Sequence, residues 1–253
     1  MLSRLHRAPL GGVRLAMNVP AEVSDAHLEA INALPGVLRK LTAADVIVRG
    51  VNLLNDQPLK DGRRRVSANL LRQMSAASAG VPVMLDHAES KMDAIAMPVA
   101  TCFSGACTQD TEGKTWLSQL FYFVRTPNSE ELVANMDGGV IKEASAGFAA
   151  KKFECSICNA GAYDCEHIAG AQYDGQTCYY VYDELADYEE MSLVYEGAAQ
   201  DTRFFLAAAH KAEGAEVDMD ALLRGKQERA ELAADPWSEL SECVTPDPWA
   251  SFR

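Results

Sequence analysis

The feature that most constrains the fold is a series of short apolar stretches of strand length, each closed off by turn residues. Residues 46–54 and 116–124 read as strands. Residues 81–85 form a short unbroken apolar run, a buried type of strand, with Asp86 and His87 at its end. Ile95, Met97, Val99, Thr101 and Phe103 alternate as in a half-buried strand, and Pro98 points to an edge or a bulge there. Residues 140–148 form a strand bearing Ser145, and 178–182 and 191–195 read as two more. Helices are fewer. Ser24 or Asp25 caps a short one with Leu28, Ile31 and Leu34 on one face, interrupted by Pro35-Gly36. Residues 66–79 have helical spacing in Val66, Leu70, Met74 and Ala77. Asn128 caps another, with Glu130 and Glu131 in its first turn and Gly138-Gly139 at its end. Beyond residue 198, Phe204, Phe205, Ala208 and Ala209 suit an amphipathic helix, and Asp218 caps a second over 219–233. The tail 235–253, with Trp237, Trp249 and Phe252 among Pro, Ser, Asp and Glu, reads as loosely ordered. Many strands and few helices indicate a β-rich α+β fold. It divides into an N-terminal segment 1–45, a core 46–199 with a cysteine-rich insert at 153–178, and a helical C-terminal segment 200–253.

The formal net charge of −13 disfavours nonspecific nucleic-acid binding and suits basic or neutral partners, or simply solubility. No apolar run is long enough to span a bilayer. The basic start, Met1 to Arg7, is followed by no apolar h-region and small-residue cleavage site, so it does not read as a secretory signal. Seven cysteines without an export signal imply a reducing compartment, where clustered cysteines are metal ligands more often than disulfides. Arg63-Arg64-Arg65 reads as a solvated turn. Cys102 and Cys107, flanking Ser104-Gly105 in a hairpin, read as small core residues.

Five histidines leave few choices of general base. Serine is a weak nucleophile that needs a neighbouring base, and the base needs a group that holds its ring. His87 supplies an imidazole at a strand end. Ser145 supplies a hydroxyl on a strand after a Gly-Gly turn, followed by Gly147 and Phe148, and a glycine there permits close approach. Glu190 adds a carboxylate in a similar setting. The segments Leu85-Asp86-His87, Ala144-Ser145-Ala146-Gly147-Phe148 and Glu190-Met191-Ser192-Leu193-Val194, with Gly197-Ala198-Ala199 after them, occur in an order that resembles the prohead serine proteases of tailed bacteriophages. Those are distant relatives of the herpesvirus capsid-maturation protease, assemblin. The resemblance covers residues 46–199 and implies Ser145 as nucleophile, His87 as general base and Glu190 as the group that orients the imidazole. Asp86, which points to the face opposite His87 if the strand continues, is a weaker third member, and Asp183 is a further candidate. Where the family has a proline after its last motif, this chain has Tyr195-Glu196-Gly197. The resemblance also implies a β-barrel-like core with surrounding helices.

The insert reads Cys155-x2-Cys158-x6-Cys165-x-His167, with ten further residues before Cys178. Cys-x2-Cys lets two thiolates grip one ion from a tight turn, and two more donors complete a tetrahedron, as in structural zinc sites. The one-residue gap between Cys165 and His167 is unusual, and the spacing leaves open whether His167 or Cys178 is the fourth ligand. Some phage prohead proteases are similar in carrying such an insert, and that likeness implies Cys155, Cys158, Cys165 and His167 as a zinc-knuckle-like set. A catalytic zinc would need an open position beside a carboxylate such as Glu166.

The resemblance therefore implies an endopeptidase that matures a viral capsid. It would cut scaffold protein, segments of the major capsid protein and itself inside the procapsid, in the host cytoplasm. It would self-associate, hold structural zinc, and engage neither nucleic acid nor membrane. The competing expectation is a catalytically inactive, zinc-stabilised scaffold or capsid-assembly protein.

Overall fold

A computed structural model describes residues 23–86 and 98–207. Along the chain the elements are α1 (Asp25–Asn32), β1 (Val46–Asn55), β2 (Arg64–Val66), α2 (Ala68–Ala77), β3 (Pro82–Leu85), β4 (Ala100–Gln109) and β5 (Thr115–Val124). They continue as α3 (Pro127–Asp137), β6 (Glu143–Cys155), β7 (Gln172–Tyr173), β8 (Gln176–Thr177), β9 (Tyr180–Val194) and β10 (Arg203–Phe205). The architecture is α+β around one dominant sheet. Its strand order is β10-β1-β5-β4-β3-β9-β2, with β6 also paired to β9, while β7 and β8 form a separate small hairpin.

Alternation along the strands builds two apolar layers. On one face Val51, Leu53, Phe121, Phe123, Met191 and Leu193 pack with Leu70, Leu71 and Met74 of α2 and with Val133 and Met136 of α3. On the other, Val46, Val48, Phe103, Leu120 and Tyr122 receive Ala30, Ile31 and Leu34 from α1. Residues before 46 and after 199, set apart in the sequence as flanking segments, thus reach into the core. Arg49 of β1 is buried and forks onto Asp137 at the end of α3, with Nε 2.8 Å from Oδ1 and Nη2 2.6 Å from Oδ2. A bidentate charge-assisted pair of this kind fixes an angle as well as a distance.

The expected barrel does not close among the described residues. β6 is bonded to β9 alone and β10 to β1 alone. The physical reason lies at the unpaired edge of β6, where the Ala144 N–H donates to the Thr202 hydroxyl at 3.4 Å instead of to another strand. Four further expectations change. Residues 178–182 and 191–195 belong to one long strand, β9, because the polar residues between them keep pairing with β6. The region of Phe204 and Phe205 is the short strand β10, not a helix. Phe204 packs into the first layer and Phe205 against the second, a period of two. Thr126, not Asn128, caps α3, because Pro127 takes the first helical position, where a missing N–H costs nothing. Cys102 and Cys107 lie on one continuous strand, β4, with a bulge between Cys102 and Ser104 rather than a hairpin turn. Cys102 is fully buried, and Cys107 is half-buried. Ile95, Met97 and the expected helix 219–233 with the tail beyond it lie outside the described residues.

α1 contains a buried titratable group. Ser24 caps the helix, and its N–H donates to His27 Nδ1 at 3.4 Å, which places the neutral ring's proton on Nε2. That atom is buried with no hydrogen-bond partner, and the ring stands edge-on to Phe103. Burial lowers the His27 pKa below its ordinary value. A histidine whose folded pKa is depressed gives stability that is complete above the unfolded pKa, about 6.5, and is lost as pH falls through and below it. The urea midpoint should therefore drop between pH 7 and pH 5 by more in the intact chain than in His27→Leu. Equal pH dependence in the two would show that the His27 pKa is not depressed on folding.

Candidate functional site

β9 lies between β3 on one side and β6 on the other, so three sequence segments meet along it. Met84 aligns with Ser192 in the parallel pair, and Ser145 faces Ser192 in the antiparallel pair. Cross-strand partners share a face. Ala144, Met191 and Leu193 point into the main core, and Ser145 and Ser192 therefore lie on the opposite face. Glu190 is on that face too, opposite Gly147. A Cβ at Gly147 would sit 2.6 Å from Glu190 Oε1, so the carboxylate folds over the glycine two residues from Ser145. The glycine expected to allow close approach is filled from within the chain.

Between these groups stands the Ser192 hydroxyl, wholly buried. It is 2.8 Å from the carbonyl oxygen of Asp86 and also in hydrogen-bond contact with Glu190 Oε2. Asp86 adopts φ +60°, a left-handed conformation that Asp tolerates better than most residues, and its N–H donates to the Leu193 carbonyl at 3.0 Å. Both backbone polar atoms of Asp86, its N–H and its carbonyl, are thus held, immediately before His87 in the sequence. His87 itself lies outside the described residues.

Ser145 is 7% exposed and lines a cavity of about 290 Å³ with Lys60, Asp61, Arg64, Glu196, Gly197 and Ala198. Lys60 Nζ donates to Glu143 Oε2 at 2.6 Å, and the Gly197 N–H donates to the same oxygen at 2.8 Å. The Lys60 ammonium holds the Glu143 carboxyl below its ordinary range, against desolvation and with help from Gly197. At Gly197 a Cβ would lie 2.3 Å from the Ala144 carbonyl oxygen, so backbone rests on backbone and only glycine fits. A larger cavity, about 660 Å³ and lined by Leu85, Val99, Tyr122, Val124 and Leu132 among others, contains neither Ser145 nor Glu190.

Ser145 and Glu190 are brought together, and Asp86 contributes its peptide. Asp183 is not part of the group. It accepts hydrogen bonds from Ser67 and Asn69 at the start of α2, nine positions along β9 from Ser192 and so about 30 Å away. Desolvation raises its pKa, but those two bonds and Lys152 leave it below the ordinary value. Sequence reasoning did not single out Ser192, Lys60 or Glu143. The alternation of Glu190 and Ser192, two apart in a strand-like stretch, was the available signal for the first of these.

The second cluster sits at the far end of the β6–β9 ribbon. Cys155 ends β6, and the donor atoms of Cys155, Cys158, Cys165 and His167 all lie within 4.8 Å of one another. This group can hold a metal ion. Around an ion with bonds near 2.3 Å, tetrahedral donors sit about 3.8 Å apart, so a modest inward closure suffices. The tight turn after Cys155 has the Asn159 N–H donating to the Cys155 carbonyl at 2.8 Å and the Ile157 N–H to its Sγ at 3.4 Å. Burial pushes the Cys155 thiol up. The amides of Cys158 and Ile157, with the thiols of Cys178 and Cys158, more than offset this and bring it down to about 6. His167 Nδ1 is buried with no hydrogen-bond partner, an orphaned donor atom that a metal would satisfy. Its ring stands edge-on to Tyr173, and its carbonyl accepts from the Tyr180 hydroxyl at 2.9 Å. Cys178 Sγ is 3.8 Å from Cys155 Sγ but falls outside the mutually close set, and its thiol is pushed up to about 11 by burial and then by Cys155.

No helix among the described residues is long and apolar enough to cross a membrane. The chain matches no protein-family model, no characterised protein and no solved structure.

Titrating the metal-free chain with Co²⁺ should give one ion per chain with thiolate-to-cobalt absorption. Cys158→Ser and His167→Ala should weaken binding beyond the roughly 10–100-fold typical of losing a supporting outer contact. Cys178→Ser should leave the stoichiometry intact. The opposite pattern for His167 and Cys178 would make Cys178 the fourth ligand.

Proposed function

We propose that the chain is a serine endopeptidase of capsid maturation, with Ser145 as nucleophile, His87 as general base and Glu190 as the carboxylate that orients the base. The observation that supports this most is the convergence at Ser192. Its hydroxyl touches the Glu190 carboxylate and the peptide carbonyl just before His87, and Ser145 lies directly across the strand pair. Three motifs far apart in sequence thus meet on one face of the sheet, as a catalytic group requires.

In this reading Ser145 Oγ attacks the scissile carbonyl carbon while His87 takes the hydroxyl proton. The C–N bond then breaks, His87 returns the proton to the leaving amine, and water hydrolyses the acyl-enzyme by the same proton route. Of the backbone N–H groups lining the same cavity, that of Gly197 is already given to Glu143, so the oxyanion would fall to others such as Ala198. The substrates would be scaffold protein, segments of the major capsid protein and the chain itself, inside the procapsid and with self-association of the enzyme. We assign zinc to the four-donor cluster, where it would fold the insert. Cys155 lies ten positions along β6 from Ser145, about 30 Å, so the ion would stand outside the peptidase chemistry. The competing reading, an inactive zinc-stabilised scaffold protein, is favoured by one observation, the depth of Ser145 at 7% exposure.

The test is co-expression with the neighbouring capsid and scaffold proteins, reading fragment masses. Ser145→Ala should reduce cleavage on the order of 10⁴-fold or more while retaining the metal stoichiometry of the intact chain. Identical fragments from both chains, or no cleavage in assembled particles, would favour the scaffold reading.

A further inference from the structure

We propose that Ser192 is a positioning residue for the carboxylate of this site, an inference that rests on the endopeptidase reading above. Its hydroxyl has one hydrogen and two acceptors in reach, the Asp86 carbonyl at 2.8 Å and Glu190 Oε2. The group is fully buried, so water does not compete for it. Glu190 is confined from two sides. Gly147 leaves room for Oε1 where any side chain would collide at 2.6 Å, and Ser192 holds Oε2. The carboxylate therefore stays on the Ser145 face instead of turning into solvent. Ser192 stands level with Met84 on β3 and Ser145 on β6, and its hydroxyl ties the end of β3 to Glu190 of β9 beside Ser145. The residue does not touch the reacting atoms. It acts through Glu190, as an outer partner fixes the geometry of an inner one.

A hydroxyl that served only to stabilise the fold would act independently of Glu190, so coupling between the two distinguishes the roles. The measurement is the rate of Ser145 labelling by a fluorophosphonate probe as a function of pH, on the full chain. Four variants are compared with the intact chain: Ser192→Ala, Ser192→Thr, Glu190→Gln and the Ser192→Ala/Glu190→Gln double variant. Ser145→Ala is the control. Ser192→Ala should slow labelling about tenfold near neutral pH, which corresponds to about 1.4 kcal/mol. It should also shift the acid limb of the pH profile in the same direction as Glu190→Gln. The double variant should be no slower than Glu190→Gln alone, and Ser192→Thr, which keeps the hydroxyl, should recover most of the rate. Strictly additive losses, or an unchanged rate and profile in Ser192→Ala, would overturn the role of Ser192 while leaving the endopeptidase reading standing. Absence of Ser145-dependent labelling in the intact chain, free and in assembled particles, would overturn both. The metal stoichiometry of each variant reports folding of the ribbon separately from labelling.

Discussion

The structure depends on the pairing of β6 with β9. These are the longest strands, thirteen and fifteen residues, and their antiparallel ladder runs from Glu143 opposite Val194 to Cys155 opposite Tyr180. One end of the ladder lies inside the main sheet, where β9 also bonds β3, and the other carries the cysteine insert. Both candidate sites are therefore set by a single register. A slip of one residue would exchange the faces of Ser145 and Ala144, moving the hydroxyl into the apolar core and the methyl out of it. The ladder also bends. Register shifts after Gly147 and Ala149, with Glu184 at φ +55°, break its regularity midway, so the two ends are regular and the flexure lies between them.

The far end of the ribbon has little to hold it apart from chemistry. Between Cys155 and Cys178 no large apolar side chain is buried, and Tyr163 and Ile168 are well exposed. A segment of this length without a core cannot offset the entropy of its own ordering by hydrophobic burial. Four soft donors can, because the free energy of closing them on an ion becomes folding free energy. The β7–β8 hairpin, turning through Asp174 and Gly175 at positive φ, brings Cys178 back beside Cys155 and returns the chain to β9.

Much of this was legible in sequence because period and spacing are local. The strands at 46–54, 81–85 and 116–124 and the capping of α1 by Ser24 follow from alternation and cap chemistry, and Cys155-x2-Cys158 announces itself. What was not legible depends on partners distant in the chain. The continuity of β9 through polar residues comes from its pairing with β6, as tertiary context overrides local preference. Phe204 and Phe205 read equally well as helix or strand until the two apolar layers on either side of the sheet are known. Ser192 looked like one serine among many, since its two acceptors come from Asp86, 106 positions earlier, and from Glu190 on its own strand. Lys60 could not be tied to Glu143, 83 positions on, by any pattern in either segment.

Two different kinds of polar contact flank Ser145. Beside it on β9, the Ser192 hydroxyl is buried against the Asp86 carbonyl and Glu190, where polar contacts are strong and costly to leave unmade. Around the mouth of its cavity, Lys60 pairs with Glu143 and Glu196, and Arg64 with Asp61, all with partly exposed side chains. Such pairs contribute on the order of 0–1 kcal/mol and are screened by salt. The buried Ser192 contacts are therefore costlier to break than the ion pairs around the cavity. Lys60 and Arg64 can therefore exchange carboxylate partners without disturbing the hydrogen bonds that hold Glu190.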